Sequence, residues 1–192
     1  HRDLHSFPTR RSSDLKDLEA LEQIPYLIDA GVSSLKIEGR MKSLHYIATV
    51  VATYRKLIDD YMKHHEITDF APYMKELEKA ENRLASHGYL EGLPGVEQQL
   101  YNARSERPTQ LFIGLVLDYD QESGIATIEQ RNHFTEGEAV EIFHPNGLVE
   151  PFIIHEMMDE NHQRLDVARH PKQILKIKVP FVVEPYAMLR KR

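Results

Sequence analysis

The run Ser34-Leu35-Lys36-Ile37-Glu38-Gly39-Arg40-Met41-Lys42-Ser43 gathers the side chains best suited to chemistry. Read as a short strand over residues 32–37, its alternation puts Leu35 and Ile37 on one face and Lys36 and Glu38 on the other. In a barrel of parallel strands Lys36 would point inward. Glu38, Gly39 and Arg40 would then stand at the carboxyl-end mouth, where such barrels place their active sites. Lys36, Glu38 and Arg40 are therefore the candidate catalytic residues. Gly39 lets a ligand approach the backbone, and Ser43 suits the N-cap of a following helix. Gly39, Lys42 and Ser43 thus form a candidate phosphate- or carboxylate-binding loop. The same spacing equally suits an inward Lys–Glu pair and a capping loop without a ligand.

A second constellation lies near the carboxyl terminus. Lys176 and Lys178 share one strand face opposite Ile177 and Val179, with Arg169, Lys172 and Arg190-Lys191-Arg192 near them in sequence. Arg169, Lys172, Lys176 and Lys178 are candidates for tracking RNA phosphates. The alternation also fits a strand with one solvated face. The eleven histidines do not make a metal site: His64 and His65 are adjacent and face different sides of a helix. His133, His144, His155, His162 and His170 lack ligand spacing. Metal: none. Nucleophile-elbow, HExxH, P-loop and dinucleotide-binding motifs are absent from the sequence.

These groups sit in a chain of 192 residues, 41% hydrophobic and 28% charged, with no cysteine, no tryptophan and a net charge of −6. That length buries one sizeable domain or two small ones. No apolar run reaches the ~20 residues of a membrane helix, and no signal peptide opens the chain, so a soluble, cytoplasmic protein with no membrane partner is expected. The absence of cysteine excludes disulfides, thiolate zinc, iron–sulfur clusters and a thiol nucleophile within these residues. Mild acidity argues against broad nonspecific nucleic-acid binding but leaves room for a local basic patch.

Residues 1–15, HRDLHSFPTRRSSDL, have no helical or strand period. Back-translated, all fifteen match a widely used sequencing adapter read in one frame. The segment is taken as an artefact, disordered and outside the fold. The native part then starts at Lys16 without an initiator methionine, which reads as the C-terminal part of a longer protein.

Residues 16–107 are helix-rich and carry 12 basic against 15 acidic side chains. Pro25 opens a short helix to Asp29, and Gly31 stops it. After Ser43, apolar residues Leu44, Ile47, Val50, Val51, Tyr54, Leu57, Ile58 and Tyr61 form one stripe on a long helix. A third helix is expected from about Pro72 to Ser86. Residues 108–192 carry 9 basic against 13 acidic side chains and switch to short β-rich runs. Strands are expected at 111–118, 125–130, 139–143, 152–157, 174–179 and 186–189. Such a set suits a small closed barrel.

Residues 16–61, KDLEALEQIPYLIDAGVSSLKIEGRMKSLHYIATVVATYRKLIDDY, closely resemble the late-barrel segment of peptidase family U32, the collagenase-like proteases. The SLKIEGRMKS run, Tyr46 and Tyr54-Arg55 are its most specific part. Gly124 to Phe143, Leu165 to Ile174 and Met188-Leu189-Arg190 resemble the same family's C-terminal domain. The likeness covers nearly all of 16–192 and is loosest around 85–100. There Ser86-His87-Gly88-Tyr89 lacks the Arg that the family places between the His and the aromatic residue.

The resemblance implies the following fold: α/β + β, the tail end of a TIM-like barrel (one strand plus helices) in 16–107 with a helical linker. A small C-terminal β-barrel similar to elongation factor Tu domain 2 would follow in 108–192. It further implies a parent acting in prephenate-dependent 5-hydroxylation of the transfer RNA wobble uridine, with a possible iron–sulfur or metal site on cysteines upstream of this chain. The partners would be tRNA, or a protein or peptide substrate, and the missing N-terminal barrel. A collagenase-like endopeptidase and an RNA-binding module without catalysis are the alternatives. A TIM-type barrel closes only with all eight strands, so the chain alone is expected to be inert.

Overall fold

The computed structural model describes residues 16–40, 42–80, 85–93 and 111–192. The segment 1–15 read as adapter sequence, and residues 94–107 at the end of the part read as barrel tail with a helical linker, lie outside the described residues. The described residues group into two compact units, one drawn from 1–38 with 57–108 and the other from 39–56 with 109–192.

In the first unit, β1 (Asp17–Leu18) pairs in parallel with β2 (Ala85–Ser86). Helix α1 (Ile24–Asp29) has proline in its first turn, and Gly31 follows it at φ +83, the left-handed conformation expected of a C′ glycine. Helix α2 (Leu44–His64) gives its second half to this unit, and α3 (Ala71–Glu78) completes it. The buried apolar side chains here are Leu21, Ile24, Leu57, Tyr61, Leu77 and Ala80. Two tyrosine–aspartate bonds join the helices: the Tyr61 hydroxyl reaches both Asp29 oxygens at 2.8 and 2.9 Å, and Tyr73 donates to Asp60 at 2.5 Å. Burial first, then Asp60, pushes the Tyr73 hydroxyl up to about 12.

Two expectations are corrected here. Residues 32–39 form no strand, and Val32, Leu35 and Ile37 are exposed at 40–42%. A strand pattern is local, whereas a parallel strand needs neighbours to pair with on its edges. The third helix ends at Glu78, and Ala85–Ser86 is extended because it pairs with β1.

The second unit is built on one antiparallel sheet. It comprises β3 (Phe112–Asp120), β4 (Ile125–Gln130), β6 (Ala139–Phe143), β7 (Val149–Ile153), β8 (Met157–Asp159), β10 (Ile174–Lys178) and β11 (Met188–Lys191). Their order is β7-β6-β11-β3-β4-β10-β8. A small pair, β5 (Phe134–Thr135) with β9 (Val167–Ala168), stands apart. Phe152 from one end of the sheet and Met157 from the other share one core with Ile113, Ile128, Ile142, Leu175 and Phe134. A sheet whose two ends meet in one core must curl. It does not close by hydrogen bonds: among the described residues β7 and β8 do not pair. The closed barrel is therefore corrected to a curled, open sheet. Pro151 removes a donor from edge strand β7, and β8 is only three residues long.

Gly114 is required where β3 crosses β4, since a Cβ there would lie 2.5 Å from Ile128 Cγ2. Bulges at Val116/Asp118 and Leu189/Arg190 add local twist. The sheet's second face carries Leu115, Phe143 and Met188, against which Ala48 and Ala52 of α2 pack. His45 stacks on Phe112 at 5.3 Å, and Thr49 and Thr53 are buried nearby along the same helix. The helix thus buries small and polar residues in its first half, whereas Leu44 and Val51 of the expected apolar stripe are exposed at 57% and 45%.

On that second face Arg190 lies opposite Glu141 across the β6–β11 ladder. Its Nη2 is 2.6 Å from Glu141 Oε1, and its guanidinium carbon sits 4.3 Å from the centre of the Phe143 ring. Both side chains are almost wholly removed from water. Truncating one partner strands the other's charge, so Arg190→Ala is expected to cost about 3–5 kcal/mol. Joint replacement, Arg190→Met with Glu141→Leu, should recover most of that loss. Chemical denaturation of the four proteins checks this, and equal stability of Arg190→Ala and the unaltered chain would contradict it.

Candidate functional site

The candidate loop divides at the boundary between the units. Lys36 and Glu38 pair with each other at 2.7 Å, both largely exposed. That hydrogen bond and charge raise the Lys36 ammonium and lower the Glu38 carboxyl from their ordinary values. Lys36 therefore does not point into an interior. Arg40 is exposed. Gly39 accepts a backbone bond from Lys42 at 2.9 Å, and the Lys42 ammonium stands 4.6 Å over the Tyr46 ring. Ser43 Oγ accepts the Tyr46 backbone N–H at 3.1 Å, the expected N-cap of α2. The loop's polar atoms are thus engaged in capping and in a cation–π contact. Ile47 folds back over Gly39: a Cβ on Gly39 would fall 2.1 Å from Ile47 Cδ1.

The lysine face is formed as expected. Leu175 and Ile177 are fully buried in the core while Lys176 and Lys178 project from the other side of β10. Lys176 donates to His162 Nε2 at 3.1 Å. Arg169 and Lys172 are exposed in the turn before β10. His162 and Lys172 hold left-handed backbone, φ +60 and +64, which costs free energy for residues other than glycine. Register adds what the sequence does not show. Lys176 lies beside Thr127, which lies beside Asp118; Lys178 lies beside Ile125, which lies beside Asp120. The face therefore grades from lysine to aspartate across three strands. The Ser123 hydroxyl and the Glu122 N–H bond Asp120 and hold its carboxyl below the ordinary range.

One cluster was not foreseen. Glu19 follows β1 and His87 follows β2, and the parallel pairing brings them together: His87 Nε2 is 3.1 Å from Glu19 Oε2. Its Nδ1 is 2.7 Å from Glu91 Oε1, and Gln23 donates to the same Glu91 oxygen at 2.8 Å. The hydrogen bond with Glu91 raises the His87 imidazole above its ordinary value, burial opposes it, and the charge of Glu19 adds to it. The carboxyl ends of parallel strands are where α/β folds place polar sites. Only the backbone pairing joins groups 68 residues apart, so spacing alone carried no signal.

Among the described residues no group of three or more His, Asp or Glu side chains is arranged to hold a metal ion. With no cysteine in the chain, its residues do not fit an iron–sulfur cluster. No described helix is long and apolar enough to cross a membrane.

Comparison with known proteins gives a consistent picture. The model of peptidase family U32 matches residues 10–100, and that of the peptidase family U32 C-terminal domain matches 108–190. The chain is 44% identical over 179 residues to tRNA hydroxylation protein P1 of Bacillus subtilis, covering 92% of this chain and 42% of that protein. It is 33% identical over 170 residues to tRNA hydroxylation protein P of Haemophilus influenzae, covering 86% of this chain and 35% of that one. A crystallised C-terminal domain from Geobacillus thermoleovorans, described as from a U32 peptidase, is 49% identical. It covers 46% of this chain and 99% of its own, with a TM-score of 0.42. The chain thus spans about two-fifths of the length of the curated relatives it matches.

The Gly39–Ile47 contact is open to a direct test. Gly39→Ala drives a methyl into Ile47 Cδ1, the free end of a half-buried side chain that can turn aside, and should destabilise by about 1 kcal/mol, the low end of the usual cost of overpacking. Ile47→Val removes that atom, so the double variant should lose less than the two single losses added. Strict additivity in denaturation would contradict the contact.

Proposed function

Because the chain belongs to peptidase family U32, we propose that it is the C-terminal part of an RNA-modifying member of that family, one that takes part in hydroxylation of transfer RNA. The observation that carries this reading is the identity to a tRNA hydroxylation protein along 92% of the chain. A cytoplasmic site of action follows from that substrate. The second unit is the part offered to RNA, through Lys176 and Lys178 with Arg169 and Lys172 beside them. Supporting this, the two strand lysines project from the face opposite the core, and a flanking histidine holds one of them. A net charge of −6 makes such binding local, so it must be sensitive to salt.

The first unit is the tail of the parent's barrel, and the chain alone is inert. In support, Leu35 and Ile37 alternate with Lys36 and Glu38 as a strand requires yet lie exposed. Their partners belong to the part of the relatives' length that this chain does not span. Lys36, Glu38 and Arg40 would become a barrel mouth only when those strands are present. Any cluster or metal of the parent would lie on residues outside this chain.

Electrophoretic mobility of transfer RNA with the 192-residue chain at low salt tests the RNA face. A shift is expected, weakening as salt rises and lost in the Lys176→Glu/Lys178→Glu double variant. Each lysine removed should reduce the slope of log affinity against log salt by about one. No shift at low salt, or a shift that survives the charge reversal, overturns the reading.

A further inference from the structure

The Glu19–His87–Glu91 cluster lies outside both the lysine face and the 36–43 loop. Its geometry fixes a protonation state by hydrogen-bond bookkeeping. A carboxylate oxygen only accepts, and each ring nitrogen of His87 faces one, at 2.7 and 3.1 Å. Both nitrogens must then carry hydrogen, which is the imidazolium form. Gln23 Nε2, 3.3 Å from His87 Nδ1, is a donor whose bond goes to Glu91. Among the described residues the charged groups acting on the ring are Glu19, from the segment after β1, and Glu91, from the ring's own turn.

We propose that His87 is a proton-operated clasp: its doubly protonated ring ties the turn 87–91 to the segment 19–23, and loss of one proton releases that tie. On deprotonation a single N–H remains. The shorter, local contact to Glu91 keeps it, and Nε2 turns a lone pair towards Glu19. Glu19 is also held by the Leu21 backbone N–H, so it does not follow the ring. The bond that fails is therefore the one spanning 68 residues. What the clasp holds is a turn with exposed side chains and glycine backbone. Gly88 and Gly92 take positive φ, +57 and +120, and between them Tyr89 and Leu90 are exposed at 76% and 43%. The turn's other ties among the described residues include the two-residue β1–β2 ladder, the Glu19 N–H to the Ser86 carbonyl at 2.9 Å, Gln23 to Glu91, and the Leu18 side chain against Gly88.

The direction of the pH dependence follows. A folded-state value raised above the ordinary histidine value of about 6.5 means that the clasp's contribution is fully present below that value. It is lost as pH rises through the higher folded value. This inference stands apart from the RNA reading, since no RNA enters its test.

Nuclear magnetic resonance of the full chain, with His87 assigned through His87→Gln, follows each imidazole between pH 5 and 9. Amide exchange of residues 85–91 is followed over the same range after correction for the intrinsic pH effect. His87 should titrate above the ordinary histidine value of about 6.5, with both nitrogens protonated below its midpoint. Protection at 85–91 should fall severalfold across that midpoint. Glu19→Gln should lower the midpoint and flatten the pH dependence of protection. Should that variant fail to fold, Glu91→Gln, at an exposed position, is expected to lower the midpoint as well. A His87 midpoint at or below the ordinary value, a neutral ring with the proton on a Glu carboxyl, or protection that ignores the midpoint would each overturn the proposal.

Discussion

Arg190 and Glu141 hold opposite charges almost out of reach of water, and the second unit is arranged around keeping them paired. Desolvating two ions costs several kcal/mol each, recovered only in good geometry. Three features supply it. The β6–β11 register sets the two residues directly opposite, the bulge at Leu189/Arg190 adjusts the strand at that point, and the Phe143 ring lies against the guanidinium. The pair also penalises error. A slip of one residue in β11 would turn Arg190 into the apolar core where Leu189 now sits, and bring Leu189 out in its place. An apolar pair at these positions would bind the sheet as well but would not forbid that slip so strongly. The same face receives Ala48 and Ala52, whose small side chains let the first half of α2 approach the sheet.

Where local signals agree, the fold is legible from residues alone. Strands 125–130 and 139–143 coincide with the observed β4 and β6, since alternation is framed by Gly124 at φ +70 and by the Pro145-Asn146-Gly147 turn. The proline and glycine bounding α1, and Ser43 before α2, act locally and were equally readable. Elements of two or three residues were not. β5, β8 and β9 are extended because Phe134, Met157 and Ala168 are drawn into a shared core. The inner face of α2 escaped because burial there selects His45, Thr49 and Thr53, which do not read as apolar. Residues 32–37 show the reverse failure: a sound strand pattern without neighbours to complete it.

Sites follow the same division. Lys176 and Lys178 are visible as charges two apart, and the strand turns them outward as alternation requires. Lys36 and Glu38 are visible for the same reason, but both stand in solvent, where the two charges simply neutralise each other. The His87 cluster depends on β1 and β2 lying in parallel, so no reading of adjacent residues finds it.

The lysine face also has a polarity that bears on what it can do. Lysines on β10 and aspartates on β3 occupy the same two rows, with β4 between them, and strands are spaced about 4.8 Å apart. A phosphate chain laid along β10 is attracted by Lys176 and Lys178. The same chain displaced by two strands, roughly 10 Å, meets Asp118 and Asp120 instead. That separation is close to the Debye length of about 8 Å at physiological salt, so both fields are felt there. Opposed charges at that distance would add little affinity, but they would fix which strand a bound polyanion followed. The left-handed turn at Lys172 leads into that strand, and the one at His162, after β8, brings its ring to Lys176. Backbone strain of this kind persists only where surrounding structure enforces it. Here the Asp159 side chain binds the Asn161 and Gln163 N–H groups, and the Lys172 N–H bonds Gln130. The face therefore presents Lys176 and Lys178 from the strand and Lys172 from a fixed turn before it, and direction rather than strength is what such a surface would contribute.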